Sequence, residues 1–207
     1  MSGSGRPIRH LSPSRPPTVP YAGRLPGGVR VDPLAEDRLG EGAPDGTGTL
    51  IVPMHADQRL LARHAEWLGR FFAAGGTMVF NGLLAYPFHP ALRRFRPIDR
   101  PRLEDLRVAI AADHPLYAGV EAADLTFRRG VAGFYGRGEN PPPPGARILA
   151  TLGPEAVPVD WLWHPPEGGR LLMHAGNDLW MQAGDDTTAA RLLPNLLAWA
   201  EAGERVA

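Results

Sequence analysis

The chain has 207 residues with 22 basic and 22 acidic side chains, so its formal charge is zero and nothing electrostatic favours nucleic acid or an anionic membrane as a partner. It has no cysteine and no lysine, and its serines stand only at positions 2, 4, 12 and 14, which excludes a disulfide framework, thiol catalysis and a Schiff-base lysine. No apolar run approaches the ~20 residues of a membrane span, and the leader lacks a signal-peptide core, so a cytoplasmic chain is expected.

Residues 1–28, rich in Pro, Gly, Ser and Arg, read as an extended arm with one short strand near positions 8–11. Residues 29–207 then form a single domain, opening with the strand candidate VRVDPL. TLIVPM (49–54) is a buried strand, and Asp57 is placed to cap the helix that follows. Leu60, Leu61, Leu68, Phe71 and Phe72 recur at helical spacing until Gly75 and Gly76 stop the helix, and TMVFNG (77–82) is the next strand. A strand–helix–strand unit with one short crossover implies parallel pairing.

The middle is less regular. Residues 83–104 form a Pro- and Arg-rich connection in which RRFRPIDRPR (93–102) carries five arginines, read as a solvated loop in preference to an anion site. LRVAIAAD (106–113) is a strand candidate, 125–136 holds one or two more, and ENPPPPG is a loop. ARILATLG, VPVDWLWH and GGRLLMHAG read as a three-stranded meander, and a final helix runs to about 202 with Pro194 kinking it or delaying its start. The expected architecture is a flavodoxin-like α/β three-layer sandwich, its sheet mostly parallel with an antiparallel C-terminal extension.

Ligands in such sheets bind beyond the carboxyl ends of the strands, which singles out His55 and Asp57, Asn81 and Gly82, and His174, Asn177 and Asp178. Three polar residues around Gly176 exceed what a turn needs. His174 or His55 is the candidate general acid/base, oriented by Asp178 or Asp57. Asn81, Asn177 and Arg128 are candidates to hold ligand oxygens. Gly82, which makes the turn with Asn81, is a candidate ligand contact beside it. His89 is read as a turn residue or a ligand contact. Trp180, with Tyr86, Phe88, Tyr135, Trp161 and Trp163, could stack on a sugar, although packing explains most of these rings. No HxH or HExxH spacing supports a metal, and neither metal nor cofactor is expected.

GTLIVPMHADQ…AEWLGRFFAAGGTMVFNG resembles the strand, helix, Gly-Gly, strand core of class I glutamine amidotransferase-like domains. DHPLYAGV, PVDWLW, GGRLLMHAGNDLW and LLPNLLAWA, in that order, resemble the ThuA (trehalose-utilisation) branch, so the likeness spans 48–202. The amidotransferase cysteine is replaced by the Asn81-Gly82 turn, which excludes glutamine hydrolysis by that route; ThuA-like proteins do not rely on it. The Pro-rich leader stands where the fold's first strand and helix belong. The resemblance implies a small polar ligand, a sugar or keto-sugar derivative, with proton-transfer chemistry of the isomerase or lyase type. The alternatives are a non-catalytic binding or assembly subunit, pairing with itself or a partner through the arm, and a metal-dependent hydrolase.

Overall fold

The computed structural model describes residues 6–41 and 48–202. Its centre is an eight-stranded sheet built from β1 (Ile8–Ser12), β2 (Val31–Ala35), β3 (Thr49–Val52), β4 (Thr77–Asn81), β5 (Val108–Ile110), β6 (Arg147–Leu152), β7 (Val157–Trp163) and β8 (Arg170–His174). The spatial order is β2-β1-β3-β4-β8-β7-β6-β5. The first five strands in that order pair parallel, and β7, β6 and β5 extend the sheet antiparallel. This is an α/β fold with a mostly parallel centre and an antiparallel extension.

The near-continuous apolar runs TLIV, TMVF and RLLM arise because the sheet is buried on both faces. Leu50, Val52, Met78, Phe80, Leu171 and Met173 face one side, where they meet Trp67, Leu68, Phe71 and Phe72. Ile51, Val79 and Leu172 face the other, against Leu192, Leu193, Leu196 and Leu197. Helices α1 (Gln58–Arg63) and α2 (Ala65–Ala73) cover the first face, the single expected helix being broken at His64, whose backbone leaves the helical region. On the other side lie the short α3 (Ala122–Thr126) and α4 (Leu192–Ala202). Pro194 falls in the first turn of α4, where its missing N–H is harmless, and a 3-10 turn at Thr188–Arg191 leads in. Among the described residues no helix is long and apolar enough to cross a membrane.

One sequence expectation needs correction. The strand expected near 8–11 within the 1–28 arm is present as β1, but it lies inside the sheet, pairing with β2 on one side and β3 on the other, so the described part of that stretch is built into the domain. Its alternation is short, with Ile8 facing one core and Leu11 the other, and the surrounding prolines mask it. The crossover to β2 contains a 3-10 turn at Ala22–Arg24 in place of an α-helix. The strand candidate at 106–113 is present as β5 over Val108–Ile110. β5 runs against the parallel set, so Asp113 and His114 leave the sheet at the edge opposite the β3, β4 and β8 carboxyl ends. There His114 Nδ1 accepts the Leu116 N–H and caps a 3-10 turn. The 125–136 stretch contributes one minimal hairpin, Phe127–Arg128 with Val131–Ala132.

Candidate functional site

The chain leaves β1 outward to β2, then returns to β3 on β1's other flank. The strand order therefore reverses between β1 and β3, and a crevice at such a switch point is the usual ligand position in open α/β sheets. A cleft of about 430 Å³ opens there, lined by the ends of β1 and β3, the Pro-rich crossover, and the residues following β8. The side chains that bring chemistry to it are His10, Tyr21, Arg24, His55, Asp178 and Trp180.

His10 lies on the same face of β1 as Ile8, where Tyr21 and Trp180 close over it with ring centroids 5.4 and 5.1 Å away. Tyr21 Oη sits 3.4 Å from His10 Nδ1. Burial pushes the His10 imidazole down to about 4, so it is neutral at pH 7. Burial, helped by the charge of Asp178, raises the Tyr21 phenol well above its ordinary value. Asp178 Oδ1 accepts the Met54 backbone N–H at 2.7 Å. Burial pushes this half-buried carboxyl up to about 6, against the lowering effects of the Met54 donation and of His174 and His55. A carboxyl that titrates near neutrality in an open cleft can both take and return a proton. His55 is exposed at the rim, and Trp180 is a buried wall.

His174 lies elsewhere: it is 1 % exposed, in the core beneath the end of β8. Its orienting carboxylate is Asp160, which lies opposite it in the β7–β8 register, and not Asp178. His174 Nδ1 donates to Asp160 Oδ1 at 2.5 Å, and the hydroxyls of Tyr117 and Tyr135 each donate to Oδ2 at 2.6 Å. Asp160 thus fixes the tautomer with its proton on Nδ1. Nε2 has no hydrogen-bond partner among the described residues. Burial raises both tyrosine phenols well above their ordinary value, so they stay donors.

Gly176 explains the glycine in HAGND. A Cβ there would lie 1.7 Å from the Tyr135 carbonyl oxygen and 2.8 Å from His174 Nε2. The expected result for Gly176→Ala is a loss of roughly 1–3 kcal/mol, read as a lower urea midpoint with an unchanged slope.

The remaining candidates are mostly spent on the fold. Asn81 is fully buried, donating to the Val52 carbonyl and accepting the Leu179 N–H. Gly82 (φ 108°) donates its N–H to the His174 carbonyl, and a Cβ there would meet Met54 at 2.8 Å. Asp57 caps α1 through the N–H groups of Arg59 and Leu60. His89 packs edge-on against Trp163 and lies 3.3 Å from Glu167. Arg128 is paired with Asp185, donates to the Met181 carbonyl and stacks on Phe134. Asn177 donates to the Phe134 carbonyl and lines a second, larger groove. Of the aromatic set, Phe88, Tyr135, Trp161 and Trp163 are core, while exposed Tyr86 bonds Arg59.

His10, Tyr21, Arg24 and Asp160 were not singled out from the sequence. The signal for Asp160 was a lone carboxylate inside the apolar run VPVDWLW, which must find partners when buried. Among the described residues no group of three or more His, Asp or Glu side chains is placed to hold a metal ion.

No family model matches the chain, and no curated protein matches it. Among solved structures it is similar to "Exo-beta-1,4-mannosidase Op5Man5 from Opitutaceae bacterium strain TAV5", at 14 % identity and a TM-score of 0.39. That likeness covers 91 % of this chain and 35 % of the mannosidase chain, so the protein spans about a third of that enzyme's length.

Proposed function

We propose that this is a ThuA-like protein on a flavodoxin-like sheet, binding a small polar metabolite of sugar or keto-sugar type at the β1/β3 switch point. The order of the parallel strands, with β1 between β2 and β3, supports the flavodoxin-like reading. The observation that carries the site is Asp178: a half-buried carboxyl pushed up to about 6, held by one backbone donor, in an open cleft. Proton abstraction beside a carbonyl fits this arrangement. Asp178 takes a proton from the hydroxyl-bearing carbon next to a carbonyl and returns it to the carbonyl carbon, while the hydroxyl proton passes to the former carbonyl oxygen, an aldose–ketose type of exchange. Tyr21, which keeps its proton, donates to the carbonyl oxygen, and Arg24 meets an anionic substituent.

The test is a thermal-shift screen with neutral sugars, keto-sugars and sugar acids. A member of one class should raise the melting temperature of the parent and leave Asp178→Asn unmoved. No shift by any class, or an equal shift in both proteins, would sink the reading. The commitment of Asn81 and Arg128 to protein contacts favours a second reading, a binding subunit without turnover. In that case ligand stabilises the parent, but no solvent deuterium enters the ligand carbon.

A further inference from the structure

We propose that a separate groove, beside the switch-point cleft, binds an amphipathic anion: an aliphatic or aryl body carrying one carboxylate or phosphate. This groove lies beyond the ends of β3, β4 and β8 and encloses about 560 Å³, sharing only Met54 with the cleft that holds Asp178. That volume lies within the roughly 300–1,000 Å³ of small-molecule sites.

Its wall is apolar, built from Leu83, Phe95, Ile98, Val131 and Phe134. Two of these are left in solvent, Leu83 at 49 % and Val131 at 60 % exposure; among the described residues the other exposed large apolar side chains are Tyr86, Leu103 and Met181. Contiguous exposed apolar surface marks a binding face. The five-arginine segment forms one side of the groove. Phe95 and Ile98 turn into it, and the segment's arginines lie on the solvent side.

The charged side chains that line this wall and the adjoining hollow have one sign. Arg137 lines the groove, and among the described residues its side chain's only hydrogen bond runs from Nε to the Gly133 carbonyl. A shallower adjoining hollow of about 350 Å³ shares Leu83 and Phe95 and carries Arg94. Arg96 and Arg102 are paired with Glu139 and Glu104, whereas Arg94 and Arg137 meet no carboxylate among the described residues. No Asp or Glu among them lines either hollow. A neutral apolar ligand leaves these guanidinium groups unused, and a bare anion leaves the wall wet. An amphipathic anion satisfies both, since guanidinium groups bind carboxylate and phosphate well.

The experiment is displacement of 1-anilinonaphthalene-8-sulfonate fluorescence from the full chain by octanoate, octyl phosphate, octanol, acetate and inorganic phosphate. Octanoate or octyl phosphate should displace the dye, and the stronger of the two identifies the head group. Octanol should be about tenfold weaker, the worth of one charge-assisted bond, and acetate and phosphate should be inert. Exposed Arg137 changed to Ala should remove most of the octanoate advantage while leaving octanol unchanged. Exposed Val131 changed to Asp should weaken every amphiphile. Asp178→Asn should leave octanoate binding intact, which separates this site from the switch-point cleft. The proposal is overturned if the dye does not bind, if octanol equals octanoate, if Val131→Asp has no effect, or if Asp178→Asn abolishes displacement.

Discussion

Asp160→Ala is expected to be the most destabilising single substitution among the polar residues discussed above. It removes the acceptor for His174 Nδ1 and for the hydroxyls of Tyr117 and Tyr135, all of them buried. Breaking a buried ion pair or hydrogen-bonded charge from one side costs about 3–5 kcal/mol, because the stranded partners keep their desolvation penalty. Against a typical domain stability of roughly 5–15 kcal/mol, that loss takes the protein close to its folding limit at 37 °C. The measurement is urea unfolding at pH 7, followed by tryptophan fluorescence, since Trp161 adjoins Asp160 on β7. Asp160→Asn keeps one acceptor oxygen and should lose less. An unfolding free energy for Asp160→Ala within about 1 kcal/mol of the parent would show that the network is not what holds β7, β8 and the Tyr117 turn together.

Asp178→Asn should act in the opposite direction. The native carboxyl sits at about 6 against an ordinary value of 3.8. Between those two values the folded state binds more protons than the unfolded one, so this group's contribution to stability falls as pH rises through the window. The penalty is absent below pH 4 and complete above pH 6, where keeping the carboxylate charged in its half-buried site costs the fold about 3 kcal/mol at most. The substituted amide still offers an oxygen to the Met54 N–H. The variant should therefore match the parent near pH 4 and melt higher at pH 7.5, by up to roughly 6–12 °C. His10 and His114, pushed down to about 4 by burial, carry the reverse dependence. Both proteins retain them, so they cancel in the difference. A gap that does not change with pH would mean that Asp178 carries no such burden. Gaining stability while losing ligand response is the behaviour expected of a functional carboxyl held at a cost to the fold.

The parallel centre was legible because buried strands and amphipathic helices write themselves in period and length. TLIVPM, the helical leucines and phenylalanines, TMVFNG and the three-strand meander needed no partner information. The polar residues were harder to assign. His174 and Asp178 lie four positions apart at one strand end, yet one is sealed in the core and the other opens on the cleft. That difference depends on which residues cross the sheet to meet them. His174 met Asp160 across the β7–β8 register, and Asp178 met the end of β3. Asn81 read as a ligand contact and proved to be a strut between β3 and the turn after β8. The wall contributed by His10, Tyr21 and Arg24 was hidden in a stretch whose prolines and glycines imitate a linker.

The β4–β8 pair carries a further consequence for how the chain acquires its structure. Thr77–Asn81 pairs with Arg170–His174, a partner that lies far along the chain. During synthesis from the amino end, β4 emerges well before its neighbour exists. TMVFN therefore waits as an unprotected hydrophobic edge, the kind of segment that recruits other chains. Because that closure depends on so distant a contact, folding should be slow for a protein of this length. Rapid release of the complete chain, or holdase chaperones during elongation, would then govern its yield more than the stability of the finished fold.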